Sequence, residues 1–227
     1  GRFEAGLPSS KDGSLLFLQH MISKMDNQKG SRIGIVLNGS PLFNGEAGSG
    51  WSNIRKMLLD RNLLDCIVAL PKNLFYGTDI TTYLWIIDNK RPVERLNKVL
   101  FINASHTEYT KLLQKNLGKK RFEISEDGAK DILTMYREYT DAIRDIVYDK
   151  TGEVEQLQVA RLLDYDDFRY TTVATRRPLR LWYENITEKY AALCEEENFD
   201  ANAKKNAILK TVSETENIND KRSDSEF

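Results

Sequence analysis

Apolar residues recur along the chain at helical spacing in some stretches and as short unbroken runs in others. Leu15, Leu18, Ile22 and Met25 fall on one face, which predicts an amphipathic helix capped by Asp12 or Ser14. Arg32 to Leu37 is a continuous apolar run with β-branched residues, the pattern of a buried parallel strand. Asn38-Gly39-Ser40-Pro41 stops it, and Trp51, Ile54 and Leu58 mark a second helix that ends near Asn62. Leu64 to Leu70, closed by Pro71, then Thr81 to Ile87 and Val99 to Ile102, predict three further strands. Only about ten residues without helical pattern separate the second strand from the third, too few for a parallel crossover, so an antiparallel hairpin is expected there.

Beyond residue 105 helical patterns dominate. Ser125 can cap a long helix through Ile132, Met135, Tyr139, Ile143 and Ile146, broken at Thr151-Gly152. Tyr170 to Ala174 reads as a short strand, Pro178 to Trp182 as a turn, and Ile186 to Glu197 and Ala201 to Glu214 as helices. The charged end, from about residue 215, is expected to fray. The expected fold is therefore α/β: a partial Rossmann-like sheet with an antiparallel hairpin over residues 1–105, then a mostly helical region over 106–227 that serves packing and assembly. The strands are too few for a complete doubly wound sheet, and no Gly-rich strand–turn–helix is present to hold a nucleotide. The sheet reads as the second half of one whose first half lies upstream.

A composition of 41% hydrophobic and 30% charged residues excludes a disordered or fibrous chain. No apolar run approaches the ~20 residues of a membrane span, and Gly1-Arg2-Phe3-Glu4 has none of the marks of a signal peptide. Two cysteines, Cys66 and Cys194, are too few for a disulfide framework and suit a reducing cytoplasm. His20 and His106 have no partners at ligand spacing, so no metal site is expected. The net charge of −1 does not announce a nucleic-acid binder, but residues 1–105 carry +4 and residues 106–227 carry −5, a weak bias of the first part towards an anionic partner.

Three groups of residues can carry chemistry. In the loop Asn73 to Ile80, Phe75 and Tyr76 offer flat faces for stacking. Gly77 permits close backbone approach, and Asn73 and Thr78 can hydrogen-bond a base edge or a phosphate. The alternative is a plain hairpin loop with Phe75 packed on the core and Gly77 in the turn. Ser40, Pro41 and Phe43 follow a strand, where open α/β sheets bind ligands; the alternative is a turn with a buried Phe43. Arg176, Arg177 and Arg180 form a basic cluster suited to phosphate contacts or to salt bridges with the acidic helices.

Several stretches, in order, resemble the modification subunits of type I restriction–modification systems, which are DNA N6-adenine methyltransferases. They are Gly6-Leu7-Pro8 and Leu16-Phe17-Leu18-Gln19-His20-Met21, then Gly34 to Phe43, and above all Asp65-Cys66-Ile67-Val68-Ala69-Leu70-Pro71-Lys72-Asn73-Leu74-Phe75-Tyr76-Gly77-Thr78-Asp79-Ile80. Val99 to Ser105, Phe168-Arg169-Tyr170 and Arg177-Pro178-Leu179-Arg180-Leu181 continue the series. The resemblance implies that residues 1–105 are the C-terminal half of a methyltransferase domain. It also implies that the Asn73–Thr78 loop lies beside the pocket for a flipped adenine. S-adenosylmethionine is the implied cofactor. The implied partners are double-stranded DNA, a specificity subunit, a second modification subunit and, for cleavage, a restriction subunit, all in a bacterial cytoplasm without membrane attachment. The family's Gly-containing cofactor loop and Asn-Pro-Pro-Phe tetrapeptide do not occur here, and no Asn-Pro pair occurs at all. The chain is therefore expected to be a C-terminal part with no catalytic residue of its own, inactive and a poor binder of the cofactor when isolated. The alternative is a non-catalytic module that positions DNA or assembles subunits.

Overall fold

A computed structural model describes residues 1–147, 154–169 and 173. The elements run α1 (Ser14–Ile22), β1 (Arg32–Leu37), α2 (Ser40–Phe43), α3 (Gly50–Asp60), β2 (Leu64–Leu70), β3 (Thr82–Asp88) and β4 (Lys98–Asn103). They continue with β5 (Thr110–Leu117), β6 (Lys120–Ile124), α4 (Glu126–Glu138), β7 (Ala142–Val147) and β8 (Val154–Asp164). Among the described residues, six strands form one sheet in the order β1-β3-β2-β4-β8-β7, and β5 and β6 form a separate hairpin.

The fold is α/β, as expected, and the β2–β3 hairpin pairs antiparallel with Val68 opposite Leu84. Among the described strands only β2 and β4 are parallel neighbours, with Ile67 opposite Phe101. Central β2 is buried along almost its whole length, which is why its sequence is an unbroken apolar run. β1 departs from expectation. It pairs antiparallel with β3 and has no partner on its other side among the described strands. Ile33 and Leu37 are buried while Arg32, Gly34 and Val36 are exposed; apolar Gly34 and Val36 on the outward positions disguised the alternation.

Helices cover both faces. Leu15, Leu18 and Ile22 of α1 and Trp51, Ile54 and Leu58 of α3 pack with Ile67, Trp85 and Ile87. On the opposite face Met135 of α4 and Tyr139 just after it pack with Cys66, Val68, Leu100 and Ile102. Burial pushes the Cys66 thiol well above its ordinary pKa, as befits an inert core residue. Ser125 caps α4 as predicted, its Oγ accepting from the Gly128 N–H at 3.0 Å. The cap expected on α1 differs: Gly13 is the N-cap residue, and the Asp12 carboxylate accepts from the Ser14 N–H at 2.9 Å.

The long helix expected through Ile143 and Ile146 is overturned. α4 stops at Glu138 because Tyr139 adopts a left-handed conformation, φ 53°. Ala142–Val147 is then a strand, with Ala142 and Ile146 buried and Ile143 exposed. Apolar residues at 135, 139, 143 and 146 suit a helix face, but the strand buries alternate members of the same set. The described part of 106–227 is accordingly mixed rather than mostly helical. Through the β4–β8 pairing, Leu100 opposite Leu162, the sheet continues well past residue 105. The strand expected at Tyr170 to Ala174 (Val173 excepted), the later turn and helices and the fraying end lie outside the described residues. No described helix is long and apolar enough to cross a membrane.

One buried polar network joins the second face. Asp65, on β2, and Arg91 are both inaccessible, and Arg91 Nε donates to Asp65 Oδ1 at 3.0 Å. Arg91 also donates to the Leu64 carbonyl at 2.9 Å, to the phenol oxygens of Tyr165 and Tyr139 at 2.8 Å each, to Lys98 O at 2.6 Å and to Arg95 O. Tyr136 donates to Asp65 Oδ2 at 2.5 Å. The Arg95 guanidinium lies 4.1 Å from the Tyr139 ring centroid and 4.9 Å from that of Tyr136. Removing one member leaves a buried charge without its partner, so Arg91→Ala should cost about 3–5 kcal/mol, read as a lower urea midpoint. A loss below about 1 kcal/mol, the level of an exposed ion pair, would show that the pair does not hold the fold.

The same network sets the alkaline limit. Burial, then the hydrogen bond to Asp65, pushes the Tyr136 phenol from 10.0 up to about 12. Between those values the unfolded chain releases a proton that the folded chain keeps, so stability present below pH 10 falls as pH rises to 12. The urea midpoint of the wild-type chain should fall through this window, and less steeply in Tyr136→Phe. Equal slopes would remove Tyr136 as a cause.

Candidate functional site

β1, β2 and β4 point the same way, because β3 runs antiparallel to both β1 and β2 and β2 runs parallel to β4. The segments after Leu37, Leu70 and Asn103 therefore emerge at one edge of the sheet, where open α/β sheets place ligand sites. Two of the three predicted groups, Ser40–Phe43 and Asn73–Thr78, sit on that edge. Arg176, Arg177 and Arg180 lie outside the described residues.

The loop between β2 and β3 keeps its five predicted residues together. Leu74, not Phe75, anchors it on the second core cluster. Phe75 is 38% exposed and Tyr76 72% exposed, so the alternative of a core-packed Phe75 does not hold. Asn73 adopts φ 57°. Its Nδ2 donates to Lys119 O at 3.1 Å, and its carbonyl accepts from the N–H groups of Arg121 at 2.8 Å and Phe122 at 3.3 Å. Asn73 thus helps to hold the loop through one of its two amide protons and its main-chain carbonyl. Thr78 Oγ1 accepts from the Ile80 N–H at 3.3 Å, which leaves its hydroxyl proton to donate. A Cβ on Gly77 would meet no atom within 4 Å, and its φ is not left-handed. The space beside Gly77 is therefore open.

What holds the loop was not anticipated. The β5–β6 hairpin turns through Gly118-Lys119, with φ 59° at Gly118. The Lys119 N–H donates to Tyr76 O at 2.9 Å, and Lys119 Nζ lies 3.4 Å from Asp79. The signal was present in Asn116-Leu117-Gly118-Lys119-Lys120, a glycine at the first position of a two-residue turn.

Ser40, Pro41 and Phe43 form the short helix α2 rather than a loop. The Ser40 N–H donates to Asn38 Oδ1 at 2.9 Å, and buried Pro41 passes its carbonyl to Arg55 at 2.9 Å. Phe43 is 74% exposed, which overturns the buried alternative, and it meets Tyr83 edge-on at 6.3 Å. Phe43, Tyr83, Trp85 and Phe101 line a groove of about 1100 Å³ on the α3 face, which the Asn73–Thr78 loop does not enter. The two candidate segments share a sheet edge but not a cavity.

No described cluster of three or more His, Cys, Asp or Glu side chains could hold a metal ion. The turn after β1 runs into a four-residue helix, and the loop after β2 leads straight into a strand; neither is a Gly-rich turn opening a long helix.

An α/β sheet with helices on both faces and an exposed aromatic loop at the carboxyl ends of its strands defines the class: an α/β fold of the Rossmann-like kind. The N-6 DNA Methylase family matches the chain over residues 1–170, and the chain belongs to that family. A type I restriction enzyme methylase subunit, MjaVIII of Methanocaldococcus jannaschii, is 36% identical over 110 residues, covering 48% of this chain and 18% of the relative. The MjaIX methylase subunit of the same organism is 26% identical over 162 residues, covering 69% and 27%. The HindI methylase subunit of Haemophilus influenzae is 32% identical over 113 residues, covering 48% and 24%. The crystal structure of a type I methyltransferase subunit from Streptococcus thermophilus shares the fold, with a TM-score of 0.54 and 24% identity over 71% of this chain and 28% of that one. The resemblance to type I modification subunits is thus borne out, and the chain spans about a quarter or less of the curated relatives it matches.

The contrast between two glycines tests the docking of the hairpin on the loop. A Cβ on Gly118 would fall 2.9 Å from Tyr76 O and from its ring, at a left-handed φ. Gly118→Ala should therefore cost about 1–2 kcal/mol, whereas Gly77→Ala should stay within about 0.5 kcal/mol. Urea unfolding of both variants reads this, and equal effects would rule out a hairpin seated on Tyr76.

Proposed function

We propose that this chain is part of the DNA adenine-N6 methyltransferase subunit of a type I restriction–modification system. That subunit moves the methyl group of S-adenosylmethionine to an adenine rotated out of the duplex. The observation that carries the reading is the loop Asn73–Ile80, with Tyr76 exposed at the carboxyl edge of the sheet of an N-6 DNA methylase. An exocyclic amine is a weak nucleophile, so the reaction depends on holding the extruded base in place. Phe75 and Tyr76 supply stacking faces, the Thr78 hydroxyl supplies a donor, and Asn73 fixes the loop through the hairpin. Cofactor and catalytic groups come from outside these residues, consistent with the absence of any Asn-Pro pair. The subunit works in the cytoplasm with double-stranded DNA, a specificity subunit, a second modification subunit and, for cleavage, a restriction subunit. The segment from residue 106 onward contributes to that assembly, and Arg176, Arg177 and Arg180 to phosphate contacts.

The test is methyl transfer by the full-length subunit with its specificity subunit, alongside fluorescence of 2-aminopurine at the target position. A stacking contact of about 1–3 kcal/mol corresponds to a loss of about 5–150-fold in kcat/KM for Tyr76→Ala, with a weaker fluorescence rise. An unchanged kcat/KM removes Tyr76 from the base pocket. The 227-residue chain alone should methylate no adenine; methylation by it would overturn the assignment of catalysis to other residues.

A further inference from the structure

The β5–β6 hairpin combines two properties that have separate origins. The first is charge. Residues 110–124 hold five basic side chains, Lys111, Lys115, Lys119, Lys120 and Arg121, against the single acidic Glu123, in a chain whose net charge is −1. Two of the five are locally engaged: Lys119 with Asp79 at 3.4 Å, and Lys111 by lying opposite Glu123 in the hairpin register. Lys115 and Arg121 are exposed and Lys120 is half-exposed, and no described carboxylate pairs with these three. The second property is mechanical. The turn is bonded to the β2–β3 loop by the Lys119 N–H on Tyr76 O, the Arg121 N–H on Asn73 O and the Asn73 amide on Lys119 O, at 2.9, 2.8 and 3.1 Å. Any force on the hairpin is thus delivered to the residues that carry the two exposed aromatic rings.

We propose that this hairpin is a phosphate clamp. Lys115, Lys120 and Arg121 grip the DNA backbone beside the target nucleotide, and the turn Gly118-Lys119 sets the loop Asn73–Ile80 against the extruded base. The inference rests on the DNA reading above and adds to it the surface that touches the backbone. Eight residues of strand β5 extend roughly 25 Å, most of one turn of duplex, so a hairpin lying along the backbone meets several phosphates. Its basic side chains carry the charge that a phosphate meets, and such contacts position the protein without reading sequence. Neutral polar residues at the same positions would leave the fold unchanged and remove the grip.

The experiment is a salt titration of duplex DNA binding by the 227-residue chain, followed by fluorescence anisotropy. The variants are Lys115→Gln/Lys120→Gln/Arg121→Gln and a charge-matched control, Lys24→Gln/Lys29→Gln/Lys90→Gln, at the opposite sheet edge. Each lost phosphate contact lowers the slope of log K against log salt by about 0.9. The hairpin variant should therefore lose roughly 2.7 from the slope, with an unchanged melting temperature, and the control should keep the wild-type slope. Hydrogen exchange with bound duplex should show new protection of residues 73–80 and 117–122 together. A wild-type chain that shows no salt-dependent binding overturns the clamp, while the DNA reading is decided separately by methyl transfer in the full-length subunit with its specificity subunit. Wild-type binding with an unchanged slope in the hairpin variant, or an equal loss in both variants, overturns the clamp alone. Protection elsewhere but not in the hairpin overturns it as well.

Discussion

A carboxylate within a run of apolar β residues has to be neutralised where it lies, and the pairing of Asp65 with Arg91 organises everything around it. Burying two ions is costly, and the attraction between them repays that cost only when every remaining donor and acceptor finds a partner. Arg91 meets the condition with five further acceptors drawn from Leu64, Arg95, Lys98, Tyr139 and Tyr165. Those residues belong to the start of β2, the start of β4, the connection between β3 and β4, the end of α4 and the short turn after β8. A network of this kind specifies register more than it adds stability.

The network lies at the amino-terminal edge of β2 and β4, whereas the presented aromatic loop lies at the carboxyl edge. The two ends are under different demands. The polar end is closed, with its hydroxyl groups and guanidinium used up by protein partners. The carboxyl end leaves Phe43, Phe75 and Tyr76 substantially exposed, although burying each ring would be favourable. The Tyr139 phenol ties this network to the second core, since it donates to Asp65 O at 2.8 Å while its ring packs there.

Much of this was legible in the sequence, and what escaped it did so for identifiable reasons. β2 and β3 could be read because Pro71 and the short spacing to Thr82 leave no room for a crossover. The Ser125 cap could be read because the hydroxyl precedes a helical run, and the site loop could be read from its resemblance. Asp65 announced a need for a buried partner but could not name Arg91, which lies far along the chain and is chosen by the fold. Tyr139 gave no sign of a left-handed stop: its conformation is imposed by where its hydroxyl must reach. Ile143 and Ile146 then suited a helix and a strand equally by spacing alone. β1 hid its edge position because Gly34 and Val36, both apolar, occupy its outward sites. The bond from Asn73 Nδ2 to Lys119 O could not be read, because the periodicity missed the hairpin that accepts it.

Net charge illustrates why whole-chain quantities say little about a site. A balance of −1 is a sum over 33 basic and 34 acidic side chains, and at physiological salt a charge is felt only within about 8 Å. What an approaching phosphate meets is therefore the local set. On the hairpin that set is basic, and the acidic side chains that offset it in the total lie elsewhere on the chain. The neighbouring carboxylate of Asp79 is already taken by Lys119. The same screening length explains why the +4 of residues 1–105 was weak guidance: that excess is spread over both edges of the sheet, while the anion-facing charge begins after residue 105, on a hairpin that the sequence division had assigned to the acidic half.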